Sequence, residues 1–176
     1  MGDWSQAPLA TLAKHIVDRH HSYLRTTLPS IAEKLEKVGH AHSDSRGPML
    51  AKLAHTFRGL ATELMQHMQK EEMILFLAIN RLEEARRQGS PPPPAPGDTL
   101  NNPIRMMEHE HDNAGAALKA MREATSDYTL PAGACVTFGA LYSQLEEMEA
   151  DLHHHIHLEN NILFPRAAEL EKQAAG

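Results

Sequence analysis

The chain lacks most features of secreted and membrane-spanning proteins. Its 176 residues include one cysteine, Cys135, so an internal disulfide is impossible. The longest aliphatic run, from Met73 to Ile79, is seven residues, whereas a helix needs roughly 20 to cross a bilayer. The first residues show neither the basic start nor the apolar stretch of a signal peptide. We therefore expect a soluble cytoplasmic protein that neither spans nor binds a membrane.

Strong positive charge is also lacking. Lys and Arg number 17 and Asp and Glu number 23, which gives a formal net charge of −6. Such a chain is a poor candidate for binding nucleic acid or an anionic membrane, because both require clustered cations. Aromatic residues are scarce, with four Phe, three Tyr and one Trp, but there are 13 histidines. The question is which of these histidines do chemistry.

No stretch alternates apolar and polar residues with a period of two, so strands are not expected. Apolar residues instead recur every three or four positions, which indicates amphipathic helices. Four such segments cover about 9–38, 48–87, 102–124 and 131–172, and a proline-rich stretch at about 88–100 forms the main connection. We predict an all-α, antiparallel, up-down four-helix bundle. The connection is long enough to cover one end of the bundle, so residues 1–176 are expected to form a single domain.

One motif occurs twice in the chain. The ten residues that start at His67 and the ten that start at His155 both read H-x-x-x-E-x-x-I-L-F, 88 positions apart. Two further histidines in apolar stripes, His21 and His111, are 90 positions apart. The chain therefore resembles two helical hairpins, each with one lone histidine and one His-x-x-x-Glu pair.

The spacing in this motif has a physical reason. Residues four apart lie on one helix face, so each pair directs an imidazole and a carboxylate into the bundle. Two carboxylates can bridge two metal ions that imidazoles cap, and this donor set suits iron, manganese or zinc better than calcium. A hydrogen bond within each pair would also satisfy the buried carboxylate, but it does not explain the repetition. The predicted metal ligands are His21, His67, Glu71, His111, His155 and Glu159.

Helical geometry excludes most of the other histidines, which point away from the stripes. We expect no metal ligation by His15, His20, His55, His109, His153, His154 and His157. His42 is also left out, because 21 residues of straight helix place it about 31 Å from His21. Glu63, one turn before His67, and Glu110, next to His111, are candidates to hydrogen-bond the outer nitrogen of a ligand histidine, as carboxylates commonly do at metal sites. The alternatives for both are a place on an entry path for iron or an ordinary charge on the helix surface.

Four stretches together resemble the hemerythrin-like domain of the repair-of-iron-centres family. They are residues 67–76, 103–115, 131–135 and 155–167. The resemblance implies two non-haem iron ions, bridged by an oxo or hydroxo group and by Glu71 and Glu159, with the same six ligands. It also matches His42 to a histidine that recurs in the family. The implied function is the repair of iron–sulfur clusters damaged by nitric oxide or oxidants, through iron donation or nitric oxide binding.

The chain departs from this family in one respect and leaves alternatives open. Members often carry a small N-terminal domain with a cysteine pair, and no such cysteines occur here. A dioxygen carrier or sensor of the hemerythrin type is the main alternative. A ferritin-like oxidase is disfavoured because that class places Glu before His in its motif. A helical interaction protein without metal is the remaining alternative. Damaged iron–sulfur proteins and nitric oxide or dioxygen are the expected partners, and reduction of nitric oxide or peroxide at the centre is left open.

Overall fold

The computed structural model describes residues 4–175, except for the side chains of residues 44, 45 and 175. Four long helices account for most of it. The first consists of α1 (Leu9–Ile16), a π-helical turn π1 (Val17–His21) and α2 (Ser22–Ala41). The second consists of α3 (Ser43–Lys70), π2 (Glu71–Leu75) and α4 (Phe76–Gln88). The third is α5 (Asn101–Thr125), and the fourth consists of α6 (Val136–Leu158), π3 (Glu159–Leu163) and α7 (Phe164–Ala175).

These helices pack as a bundle. Helix α2 contacts α3 and α6, α3 contacts α5, α1 contacts α4, and α4 contacts α7. No strand occurs within residues 4–175, so the predicted all-α four-helix bundle is confirmed. Among the helices of these residues, none is long and apolar enough to cross a membrane.

The connection between the second and third helices lies close to where the sequence places it. Helix α4 ends at Gln88 because Gly89 adopts a left-handed conformation (φ 65°) that the helix cannot continue. A short 3₁₀ turn, Pro96–Asp98, precedes α5. The fourth helix begins at Val136, five residues later than predicted, because residues 131–134 form a turn in which Gly133 has φ 76°.

Two apolar clusters fill the bundle. The larger contains Phe57 and Phe138 and is built from α2, α3, α5 and α6. The smaller contains Ile16, Ile79 and Phe164 and is built mainly from α1, α4, the start of α5 and α7. Along each long helix, the predicted ligands lie between residues of one cluster and residues of the other. The bundle therefore holds a polar layer between two apolar regions.

Candidate metal centre

The polar layer contains all six residues predicted to bind metal. Each is buried, with at most 5% of its surface exposed, and all four long helices contribute. Their donor atoms form two groups of four, and within each group the atoms lie within 4.8 Å of one another. Both groups share the same two glutamates, Glu71 and Glu159.

The first group adds His21 and His155 to the glutamates. The two Nε2 atoms are 3.2 Å apart. His21 Nε2 lies 3.3 Å from Glu71 Oε2, and His155 Nε2 lies 3.0 Å from Glu159 Oε1. One oxygen of each glutamate therefore faces this pair of imidazoles.

The second group adds His67 and His111 to the same glutamates. Their Nε2 atoms are 3.0 Å apart. His67 Nε2 lies 3.3 Å from Glu71 Oε1, and His111 Nε2 lies 3.1 Å from Glu159 Oε2. Each glutamate thus directs its two oxygens to different groups, which is the arrangement of a carboxylate that bridges two ions.

The buried carboxylates show that this layer fits a cation. Neither oxygen of Glu71, nor Oε2 of Glu159, has a hydrogen-bond partner among the residues that the structure describes. Burial of an unpaired carboxylate costs several kcal/mol, so these oxygens require a positive partner. Imidazole nitrogens with carboxylate oxygens form a donor set for transition metals, and calcium prefers oxygen alone.

The pKa values of the centre depend on the same contacts. Burial lowers the pKa of His67, but the charge of Glu71, whose Oε1 lies 3.3 Å from His67 Nε2, outweighs that effect and raises the pKa to about 9. Burial raises the pKa of Glu159, yet the adjacent His155 lowers it well below its usual value. In the metal-free state a proton on His67 therefore offsets the adjacent carboxylate charge, and metal binding must displace that proton.

Three of the four histidines are oriented by a hydrogen bond at the outer ring nitrogen, Nδ1. The pairs are His21 with Glu72 (2.6 Å), His67 with Glu110 (2.9 Å) and His111 with Asn160 (2.8 Å). A carboxylate at this position accepts a hydrogen bond from Nδ1–H, which keeps the proton on Nδ1 and leaves the Nε2 lone pair directed at the centre.

The sequence identified one of these partners. Glu110 was a candidate because it adjoins His111, but the structure places its carboxylate on His67, and it also forms an ion pair with Lys70. The other predicted partner, Glu63, is an exposed residue of α3, so the prediction for it was wrong.

Sequence reasoning missed Glu72 and Asn160. Each directly follows one of the two shared glutamates, at equivalent positions of the internal repeat, and that equivalence was the available signal. The turns π2 and π3 begin at Glu71 and Glu159, and their wider backbone spacing lets two consecutive side chains reach the centre.

The remaining histidines mostly lie where the sequence places them. His55, His109, His153, His154 and His157 are exposed. His42 contacts the ring of Phe138 at 5.3 Å and belongs to neither ligand group. His20 differs from expectation, because it is 1% exposed and its ring stacks on His155 at 5.4 Å.

Comparison with known proteins agrees with this geometry. The hemerythrin HHE cation binding domain matches residues 12–167. The chain belongs to this family. It is 43% identical over 168 residues to the iron-sulfur cluster repair protein YtfE of Pectobacterium carotovorum subsp. carotovorum (strain PC1). It is 41% identical over 165 residues to the protein of that name from Dickeya chrysanthemi (strain Ech1591). Each match covers 94% of this chain and 68% of the relative. The family and the buried cluster together indicate a metal-binding protein.

Proposed function

We propose that the chain carries a non-haem di-iron centre and acts in nitrosative and oxidative stress by repairing damaged iron–sulfur clusters. It would do so in the cytoplasm, by donating iron or by binding nitric oxide. One observation carries the proposal: two groups of buried donor atoms share the same two glutamates. The repair function named for YtfE relatives supports this choice among the reactions of di-iron proteins.

The six residues would bind the two irons in two groups. His21 and His155 would hold one ion and His67 and His111 the other, with Glu71 and Glu159 between them. When bound, the pair of irons supplies redox chemistry and positions for a diatomic ligand. Each group offers four protein donors, and mixed histidine–carboxylate sites of this kind leave positions on iron open.

The residues around the centre would determine how firmly iron is retained and how it is released. Apolar clusters on both sides limit the access of water and raise the strength of each ionic contact. Glu72, which contacts His21, forms an ion pair with Arg25, and Glu110, which contacts His67, forms one with Lys70. Both glutamates are half-buried. Iron leaving the centre would be replaced by protons, because the charge of Glu71 favours protonated His67.

Transfer of iron to a damaged cluster tests the proposal. The iron-loaded chain is mixed anaerobically with a [4Fe–4S] enzyme inactivated by nitric oxide, and recovery of enzyme activity is followed with the iron balance of both proteins. We expect recovery with the wild type and none with a Glu71→Gln/Glu159→Gln double variant. Glu147→Gln, which changes an exposed carboxylate on α6, is the matched control. Equal recovery with all three proteins would contradict the proposal.

Spectra recorded with nitric oxide and with dioxygen distinguish a repair protein from a dioxygen carrier. The iron-loaded protein is exposed to nitric oxide and to dioxygen in parallel. A nitrosyl species together with irreversible oxidation by dioxygen supports the stress function. A stable and reversible dioxygen complex would identify a carrier of the hemerythrin type instead.

A further inference from the structure

His20 has the hydrogen-bond pattern of a metal ligand without belonging to either buried group. Its Nδ1 lies 3.0 Å from Asp151 Oδ2, and its Nε2 is buried with no hydrogen-bond partner among the described residues. The same pattern occurs at His21 and His67, where a carboxylate at Nδ1 leaves Nε2 free for the centre. The contact with Asp151 thus favours the His20 tautomer whose Nε2 lone pair is available.

Two more imidazoles adjoin His20. The ring centres of His15 and His154 lie 5.9 and 5.1 Å from that of His20, at interplanar angles of 84° and 79°. The ligand pairs of the buried groups have ring centres 4.9 and 4.7 Å apart. Two imidazoles that hold one ion tetrahedrally through nitrogens about 2.1 Å away have ring centres about 5 Å apart. The two spacings to His20 are therefore close to those of a metal site, but the donor atoms of the three histidines do not all lie within 4.8 Å of one another, so the outer rings must turn to bind an ion.

The outer members of the cluster are suited to close around an ion. His154 is exposed, which leaves its ring free to turn toward His20 Nε2, whereas His15 is half-buried and its rotation changes the contact with Trp4. Burial and the neighbouring imidazoles lower the pKa of His15, which keeps its lone pair available at neutral pH. Asp151 contributes negative charge beside the cluster, which favours a cation.

We propose that His15, His20 and His154 form a second metal site, for a divalent transition-metal ion such as Fe²⁺, Zn²⁺ or Co²⁺. Three imidazoles suit ions of this softness and disfavour Mg²⁺ and Ca²⁺. The site lies next to the buried centre, because the ring of His20 stacks on that of His155. It uses none of the six residues assigned to the two irons.

The tryptophan of the chain provides the readout. Trp4 is the single tryptophan, and its ring centre lies 4.5 Å from that of His15. A Co²⁺ ion in the proposed site would therefore quench Trp4 fluorescence at short range. Iron-loaded protein is titrated with Co²⁺ alone while fluorescence is followed, and the iron content of every sample is measured. We expect saturable quenching with one Co²⁺ per chain, and no comparable response to Mg²⁺.

Two variants locate the ion. His154→Ala retains the contact of Trp4 with His15, and we expect it to weaken Co²⁺ binding by at least about tenfold. His153→Ala is the matched control, because His153 is exposed and adjacent to His154. His153 also lies one turn before His157, so these two histidines form an alternative surface site at which Co²⁺ could bind. Unchanged quenching in His154→Ala, or loss of quenching in His153→Ala, would overturn the proposal. The iron content tests the buried centre separately, so failure of the two ideas is distinguishable.

Discussion

Replacing Glu71 by methionine tests why a carboxylate is buried in this bundle. Glu71 is 0% exposed, and neither oxygen has a hydrogen-bond partner among the described residues. Imidazole nitrogens of His21 and His67 each lie 3.3 Å from one of its oxygens. If Glu71 serves metal binding, it destabilises the metal-free fold and stabilises the loaded one. Glu71→Met should therefore have opposite effects in the two states.

The magnitude follows from burial. Replacing a whole buried ion pair by apolar side chains is neutral or stabilises by about 1–4 kcal/mol, whereas removing one partner of a charged pair costs about 3–5 kcal/mol. The first range applies to Glu71→Met only when His67 is uncharged. The comparison is made above about pH 9, where loss of the proton from His67 ends the stabilisation that its contact with Glu71 gives the metal-free fold. Metal adds to wild-type stability by mass action, about 4 kcal/mol at a thousandfold excess over the dissociation constant. Each kcal/mol shifts the Tm of a chain this size by about 2–4 °C.

Unfolding by urea and by heat measures the effect, with chelator and with excess Fe²⁺ under anaerobic conditions. We expect Glu71→Met to be at least as stable as wild type in chelator and clearly less stable with iron. Glu63→Met, at an exposed position of the same helix, should stay within about 0.5 kcal/mol of wild type in both. A loss above about 1 kcal/mol in chelator would show that Glu71 is a structural hydrogen-bonding residue.

Three further predictions concern the surroundings of the centre. Glu72→Gln removes the charge that faces His21, and we expect metal affinity to fall about 10–100-fold in chelator competition. Metal-free protein should lose stability as pH rises through about 9, because the folded state raises the pKa of His67 to about 9 from 6.5. That stabilisation is complete below about pH 6.5, so urea unfolding across this range should show a decline that is smaller in His67→Gln. Because the chain is proposed to be one domain, calorimetric and van't Hoff enthalpies of metal-free unfolding should agree, and two separate transitions would contradict this.

Periodicity predicted the bundle and brought the six ligands together for one physical reason. Apolar residues and inward polar residues of a helix obey the same 3.6-residue repeat. The motif at His67 and its copy at His155 therefore placed Glu71 and Glu159 on inward faces. The start of the fourth helix could not be predicted from periodicity, because a turn with Gly133 in the left-handed conformation stands where the first helical turn was expected.

The neighbours of the ligands were less predictable for a related reason. An α-helical wheel turns consecutive residues by about 100°, which excludes the residue after a bridging glutamate from the centre. The π-helical turns break that rule at Glu72 and Asn160. His20 was excluded by the same wheel, but it lies in π1 and packs against the fourth helix at Asp151 and His155.

The most direct test of the account is the position of iron in crystals of the iron-loaded, untagged protein. Anomalous diffraction at the iron absorption edge should show two peaks within the polar layer. One should lie between His21 and His155 and the other between His67 and His111, with Glu71 contacting both. A single peak, or peaks confined to surface histidines, would contradict the assignment of the six residues to a di-iron centre.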